Sequence, residues 1–247
     1  MISDIMKGSM CLGRGFRLIR QPGIRVYAVM PLIINSVLFA SLIWFGYDQF
    51  SPMVDKMMSN VPAILGFLRG IIWLIITTFT AIFVFFTFTP IANIVAAPFN
   101  ALLSEKIETR LSGKSINSNS SFIKMVRASV LSQLRKLVYI LFWSAVLLLI
   151  SLIPLINFAA PFLWVIFGSW MLSLEYLDYP MGNHELDFKQ EKQILAARKG
   201  LALGYGSSVM VLTSIPLLNF IVMPVAVAGA TVLWVEQLES ESQRSGV

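Results

Sequence analysis

The segment Gln21-Pro22-Gly23-Ile24-Arg25 offers a chemistry that can be read directly from residue types. Proline suits the first positions of a helix and glycine lets a ligand approach the backbone. The N–H groups of Gly23, Ile24 and Arg25 are therefore expected to stand as free donors at a positive helix end. Arg25 adds a guanidinium fork matched to an oxyanion. A tetrahedral dianion accepts hydrogen bonds only, so donors and positive charge suit it, and Arg17 and Arg20 lie close enough in sequence to form a funnel. A basic residue beside a membrane span serves equally as an anchor for lipid phosphates, and spacing leaves both readings open.

Asn35, Asn93, Asn100, Asn157 and Asn219 form a second set, each inside an uncharged apolar run. A buried amide is costly unless paired. Together these side chains could replace part of an ion's hydration along a pore, or they could hydrogen-bond packed helices to one another. No Lys, Arg, Asp or Glu interrupts these runs, so no intramembrane relay of acidic residues is visible. The third set is Glu175-Tyr-Leu-Asp178-Tyr-Pro180 with His184, Glu185 and Asp187. Two carboxylates and a histidine could bind a divalent metal or act as acid and base, but the turn-rich sequence after an apolar arm reads better as an acidic cap at the membrane interface. There is no nucleophile elbow, P-loop or glycine-rich dinucleotide fingerprint, so no enzyme is expected. With one cysteine, Cys11, and one histidine, neither a disulfide framework nor a Cys/His metal centre can be built in one chain. No cofactor, metal or nucleic-acid partner is expected.

The elements that must position these groups are membrane elements. Of 247 residues, 57% are hydrophobic and 13% charged, more apolar surface than a soluble domain of this size can hide. The first 25 residues scatter Asp4, Lys7 and four arginines without the apolar core of a signal peptide, so no cleavage is expected. The chain reads as one membrane domain, 1–247. Residues 1–20 place Ile2, Ile5, Met6, Leu12, Phe16 and Ile19 on one helical face, with Lys7 and Arg14 on another, as in a helix lying in the interface. Residues 26–47 read as a span, and 70–104 as a span to about 89 followed by an extension punctuated by Pro90 and Pro98. Residues 111–136 read as a Ser/Asn/Gly-rich cytoplasmic loop and a surface helix. Residues 175–200 form a charged cytoplasmic segment.

Between and after these lie two matched runs, 137–174 and 201–235, broken by Ile153-Pro-Leu-Ile-Asn-Phe-Ala-Ala-Pro161 and Ile215-Pro-Leu-Leu-Asn-Phe-Ile-Val-Met-Pro224. Backbone opened by proline at membrane depth must be covered by protein or line a polar cavity, and a repeated broken helix points to a transport path. The arms are short for complete spans and predict re-entrant hairpins, although a plain helical hairpin satisfies the same turn residues. With two spans and two returning hairpins, 17 of the 19 basic residues share one face, which the positive-inside rule makes cytoplasmic. Complete two-span hairpins would place the charge identically. The predicted fold is thus an all-α integral membrane protein: an interfacial helix, two long transmembrane helices and two Pro/Asn-broken hairpins.

Taken together, Gln21-Pro-Gly-Ile-Arg25 with Pro31-Leu-Ile-Ile-Asn35, Ala96-Ala-Pro-Phe-Asn100, Glu175-Tyr-Leu-Asp-Tyr-Pro180 with His184, and Ile215 to Pro224 resemble the CysZ family of bacterial sulfate permeases, from about residue 10 to 235. The resemblance implies an inner-membrane homo-oligomer that brings sulfate into the cytoplasm for cysteine synthesis. It also implies that the sulfate-binding turn falls on Gly23, Ile24 and Arg25. Relatives often carry a second arginine where this chain has Val26. A non-transporting scaffold or insertion factor is the alternative, and a membrane-surface enzyme using His184, Asp178 and Asp187 a third.

Overall fold

A computed structural model describes residues 2–59, 67–113, 122–154, 156–215 and 218–244. Within its helices, the side chains of 57–58, 85, 87–95, 122–132 and 219–220 lie outside the description, among them those of Asn93 and Asn219. All regular structure among the described residues is helical: α1 (Ile2–Ile19), α2 (Arg25–Met58), α3 (Phe67–Ser112), α4 (Phe122–Ser151), α5 (Ala160–Asn183), α6 (Phe188–Ala197), α7 (Lys199–Thr213), α8 (Asn219–Leu233) and α9 (Glu239–Arg244). Five stretches are long and apolar enough to cross a membrane: Arg25–Lys56, Phe67–Val84, Gln133–Ser151, Asn157–Asn183 and Ile221–Arg244.

The chain divides into two compact units, one of Met1–Ala28 with Asn100–Val247, the other of Val29–Phe99. In the second unit α2 and α3 meet through a Tyr47–Trp73 stack with ring centroids 5.9 Å apart and an Arg69–Asp55 pair at 2.5 Å. Most of its large apolar side chains, such as Trp44, Phe79 and Phe83, are exposed, as suits helices covered by lipid.

The first unit holds the core. Here α1 docks against α7 and α8 with Gly8, Cys11, Leu12 and Gly15 buried. A Cβ on Gly15 would collide with the backbone of Gly229, and one on Gly204 with that of Ile5. Only glycine permits the helix axes to lie so close, as in other small-residue membrane contacts. Ser9 Oγ donates across the interface to the Gly204 carbonyl at 2.9 Å. Tyr205 O–H, fully buried, donates to the Ala226 carbonyl of α8.

Several expected boundaries move. Residues 2–19 form one helix with Ile2, Met6 and Phe16 of its apolar face exposed, as an interfacial helix requires, and what was not expected is the docked face of Gly8, Cys11, Leu12 and Gly15. The span expected over 26–47 continues to Met58, and the break expected in 70–104 does not occur, since α3 runs unbroken through Pro90 and Pro98. A proline removes one ladder bond, and continuing the helix satisfies more backbone than stopping in apolar surroundings. The surface helix expected before 137 is the first half of α4. Of the loop expected at 111–121, residues 114–121 lie outside the described residues. The first hairpin's arms are longer than expected, because α4 and α5 extend past the charge boundaries that were used to limit them. Glu175 to Pro180, read as turn-rich, lies on α5. The tips contain a turn of 3-10 helix at Asn157–Ala159 and a break after Thr213; residues 155, 216 and 217 lie outside the description.

Candidate anion-binding site

Between α1 and α2 the chain turns in five residues. Gln21 N–H donates to the Leu18 carbonyl at 3.0 Å, and the Gln21 carbonyl then accepts from Ile24 N–H at 3.2 Å and Arg25 N–H at 3.1 Å. Two of the three N–H groups expected to be free are therefore committed to the turn itself. Gly23 N–H has no backbone partner among the described residues. Gly23 sits at φ +86, a conformation that favours glycine, and no atom occupies the space where a Cβ would project. Ile24, 2% exposed, pins the turn from below in a cluster with Leu103, Ile107, Val227 and Ala228, against which Tyr176 and Tyr179 also pack.

Arg25 opens α2 with its side chain exposed. Arg17 and Arg20 are also exposed, and Arg20 lies over the Phe16 ring at 5.0 Å. None of these three arginines pairs with a carboxylate among the described residues, whereas Arg14 is neutralised by Glu236 and Arg198 by Asp4 and Glu241. The result is a firmly anchored turn that presents one backbone donor and one guanidinium at a helix start, with Arg17 on α1 and Arg20 just after it carrying no carboxylate partner among the described residues.

The asparagines separate. Asn35 and Asn93 belong to the Val29–Phe99 unit; Asn100, Asn157 and Asn219 belong to the other. Asn100, 2% exposed, is within 3.4 Å of the Tyr179 hydroxyl through Nδ2. Asn157 is exposed at the first tip, while Asn35 is half-buried with Oδ1 unpartnered.

Behind the turn lies a polar network that ties the quoted motifs together. Asn183 Nδ2 donates to the Ala101 carbonyl at 3.2 Å, and His184 Nε2 lies 2.6 Å from buried Glu108 Oε1. That hydrogen bond raises the His184 pKa, with burial opposing it. Lys136, 2% exposed, donates to Asp178 at 2.9 Å and lies 3.6 Å from Glu175. Asp187 caps α6 by accepting from Gln190 N–H at 3.0 Å and pairs with Arg135 at 2.9 Å. The carboxylates of the acidic motif are thus occupied in caps and ion pairs, the arrangement of an interfacial cap. No group of three or more His, Cys, Asp or Glu among the described residues could hold a metal.

Sequence reasoning missed Lys136 and Glu191. Glu191 is fully buried on α6 and hydrogen-bonds the Asp178 carboxylate. Burial, and next the Asp178 carboxylate, push its pKa up to about 10. The readable signal was the i, i+3 spacing of Glu175 and Asp178, which sets two carboxylates side by side on one helical face, where a nearby cation relieves their repulsion.

Long apolar helices and buried small-residue contacts define an all-α, multi-pass membrane protein. The family model for Sulfate transporter CysZ/Etoposide-induced protein 2.4 matches residues 11–224, and the chain belongs to that family. It is 40% identical over 235 residues to a Sulfate transporter CysZ of Pseudomonas paraeruginosa, covering 94% of this chain and 96% of the relative. Similar relatives of that name occur in Pseudomonas fluorescens, at 38% identity over 98% of both chains, and in Vibrio atlanticus, at 39% over 94% and 93%.

Proposed function

We propose that this protein carries sulfate across the bacterial inner membrane into the cytoplasm, where it supplies sulfur assimilation and cysteine synthesis. The observation that carries this reading is near-complete alignment with relatives named sulfate transporters, spanning the turn where Arg25 stands uncommitted beside left-handed Gly23. Arg25 neutralises part of the dianion's charge, the Gly23 N–H adds a donor, and Arg17 and Arg20 raise the local anion concentration. The anion then passes along a route to which Asn35, Asn93, Asn100, Asn157 and Asn219 contribute amides. The protein works as a homo-oligomer in the lipid bilayer, by transport and not by catalysis.

Uptake of labelled sulfate into proteoliposomes containing only this protein tests the reading. Arg25→Ala is expected to weaken sulfate binding roughly tenfold or more, the loss of one charge-assisted contact worth about 1.5–3 kcal/mol. Absence of flux with the folded wild-type protein would leave the scaffold reading in its place. Unchanged affinity in folded Arg25→Ala would remove the assigned site.

A further inference from the structure

Helices α4 and α5 form a hairpin with a cleft of about 610 Å³ on one side, lined also by α6 and the start of α7. Tyr139, Trp143 and Leu147 line it at successive turns of α4, and Leu163, Phe167 and Trp170 line it from α5. From Tyr139 to Leu147 the helix rises about 12 Å, so the apolar wall is long enough for a substantial part of an acyl chain. Charge enters the lining only from Lys192 of α6 and Lys199 of α7. Because α4 leads toward the tip and α5 away from it, Tyr139 and Trp170 lie at the end of the hairpin remote from the tip. Tyr139 meets Phe188 and Lys192 of α6 there, with Lys192 Nζ 5.2 Å from the Tyr139 ring centre.

Neither Lys192 nor Lys199 has a carboxylate partner among the described residues, although Arg198 between them in sequence is held by Asp4 at 3.3 Å and Glu241 at 3.7 Å. The Trp170 indole N–H, buried, has no acceptor among the described residues. A free inorganic anion would have no use for the apolar walls. A neutral apolar molecule would leave two cations uncompensated. A ligand with an anionic phosphate and a hydrocarbon tail satisfies both.

We propose that this cleft is a binding site for an anionic diacyl phospholipid, with one acyl chain between α4 and α5 and the headgroup phosphate held by Lys192 and Lys199. The lipid seals the outer side of the hairpin and fixes the end of α6 that carries Glu191. This site is separate from the turn at Gly23, so it stands whether or not sulfate is the transported ion.

The test uses the purified full-length protein in mild detergent, titrated with phosphatidylglycerol or phosphatidylcholine of identical chains, with bound lipid counted by native mass spectrometry. The wild-type protein is expected to retain one phosphatidylglycerol per chain with about thirtyfold preference over phosphatidylcholine, as two basic groups near an anionic headgroup provide. Glycerol phosphate at the same concentration should not displace it. Lys192→Ala with Lys199→Ala should remove most of the preference, and Lys192→Arg with Lys199→Arg should keep it. Leu163→Trp, which fills the cleft, should lose both lipids. Equal retention of the two lipids by the wild-type protein would overturn the proposal. So would displacement by glycerol phosphate, which would make this a free-anion site, or lipid bound only by dissociated chains, which would mean a second copy fills the cleft. Those three comparisons use the unaltered protein, so a variant that fails to fold does not shield the idea.

Discussion

At the scale of single residues, two positions carry unusual physical demands. Gly23 occupies a positive φ that costs an L-residue about 1–2 kcal/mol, yet the space around it is open. Gly23→Ala is therefore expected to lower thermal stability by about 1 kcal/mol through backbone strain alone and to weaken sulfate binding, while Gly23→Asn should lose less. Equal melting temperatures for all three proteins would show that the turn adapts without strain. Glu191 makes the opposite demand, for neutrality. With its pKa near 10 in the fold against an ordinary 4.5, it keeps its proton when folded and releases it when unfolded over the interval between. Its contribution is fully present below about pH 4.5 and declines as pH rises toward 10, by at most about 1.4 kcal/mol per pH unit. Glu191→Gln retains a neutral side chain of the same shape and should flatten the fall in melting temperature between pH 6 and 9. An unchanged slope would mean that the wild-type side chain is ionised.

At the scale of elements, the helices were legible and their docking faces were not. Uncharged runs of 22 and 35 residues located α2 and α3, and the doubled Pro/Asn breaks located both hairpin turns. The lipid-facing apolar side of α1 was legible, but its docking face was not, because hydrophobic periodicity does not mark small-residue contacts. In a protein surrounded by lipid the apolar side chains can face outward, and the close contact goes to Gly8, Gly15 and Gly204. Lys136 was missed because a lysine one residue outside an apolar run reads as solvated, and only the tertiary fold brings Asp178 and Glu175 to it. The turn at 21–25 was legible as a motif; its internal hydrogen bonds to the Gln21 carbonyl were not, because residue types alone do not show which N–H groups the turn itself will use. The α1 contact yields a paired prediction. Gly204→Val should destabilise by about 2 kcal/mol or more, because the obstacle is backbone and cannot rotate away. Gly13→Ala on α1, where nothing lies within 4 Å, should be neutral or stabilising by up to about 1 kcal/mol. Thermal unfolding in detergent compares them, and similar values for both would mean that α1 is only loosely seated.

At the scale of the whole molecule, the open matter is how many times the chain crosses. The apolar stretches Gln133–Ser151 and Asn157–Asn183 are long enough for complete crossings, but α7 has 15 residues, about 22 Å, short of a hydrocarbon core of about 30 Å. We expect the second hairpin to be re-entrant, with its tip below the far headgroups. A cysteine at Asn219 in a Cys11→Ser background should resist an impermeant thiol reagent applied from outside. Rapid, complete labelling would give that hairpin two full crossings. The background substitution keeps a donor in place, since Cys11 Sγ donates to the Lys7 carbonyl at 3.3 Å and a serine hydroxyl can make the same bond.

The seating of α1 also sets a clock on biosynthesis. Ser9 and the Gly204 carbonyl are 195 residues apart in the chain, and Ile24 rests on Val227 and Ala228 of α8. At about 5–20 residues per second, the ribosome releases α1 roughly 10–40 s before its partners exist. Membrane insertion of the earlier helices must therefore proceed with the first segment undocked, its glycine stripe facing lipid or another protein. Translation arrested before α8 would leave the inserted helices with an unsupported Gly23 turn, so that turn acquires its support only as synthesis ends.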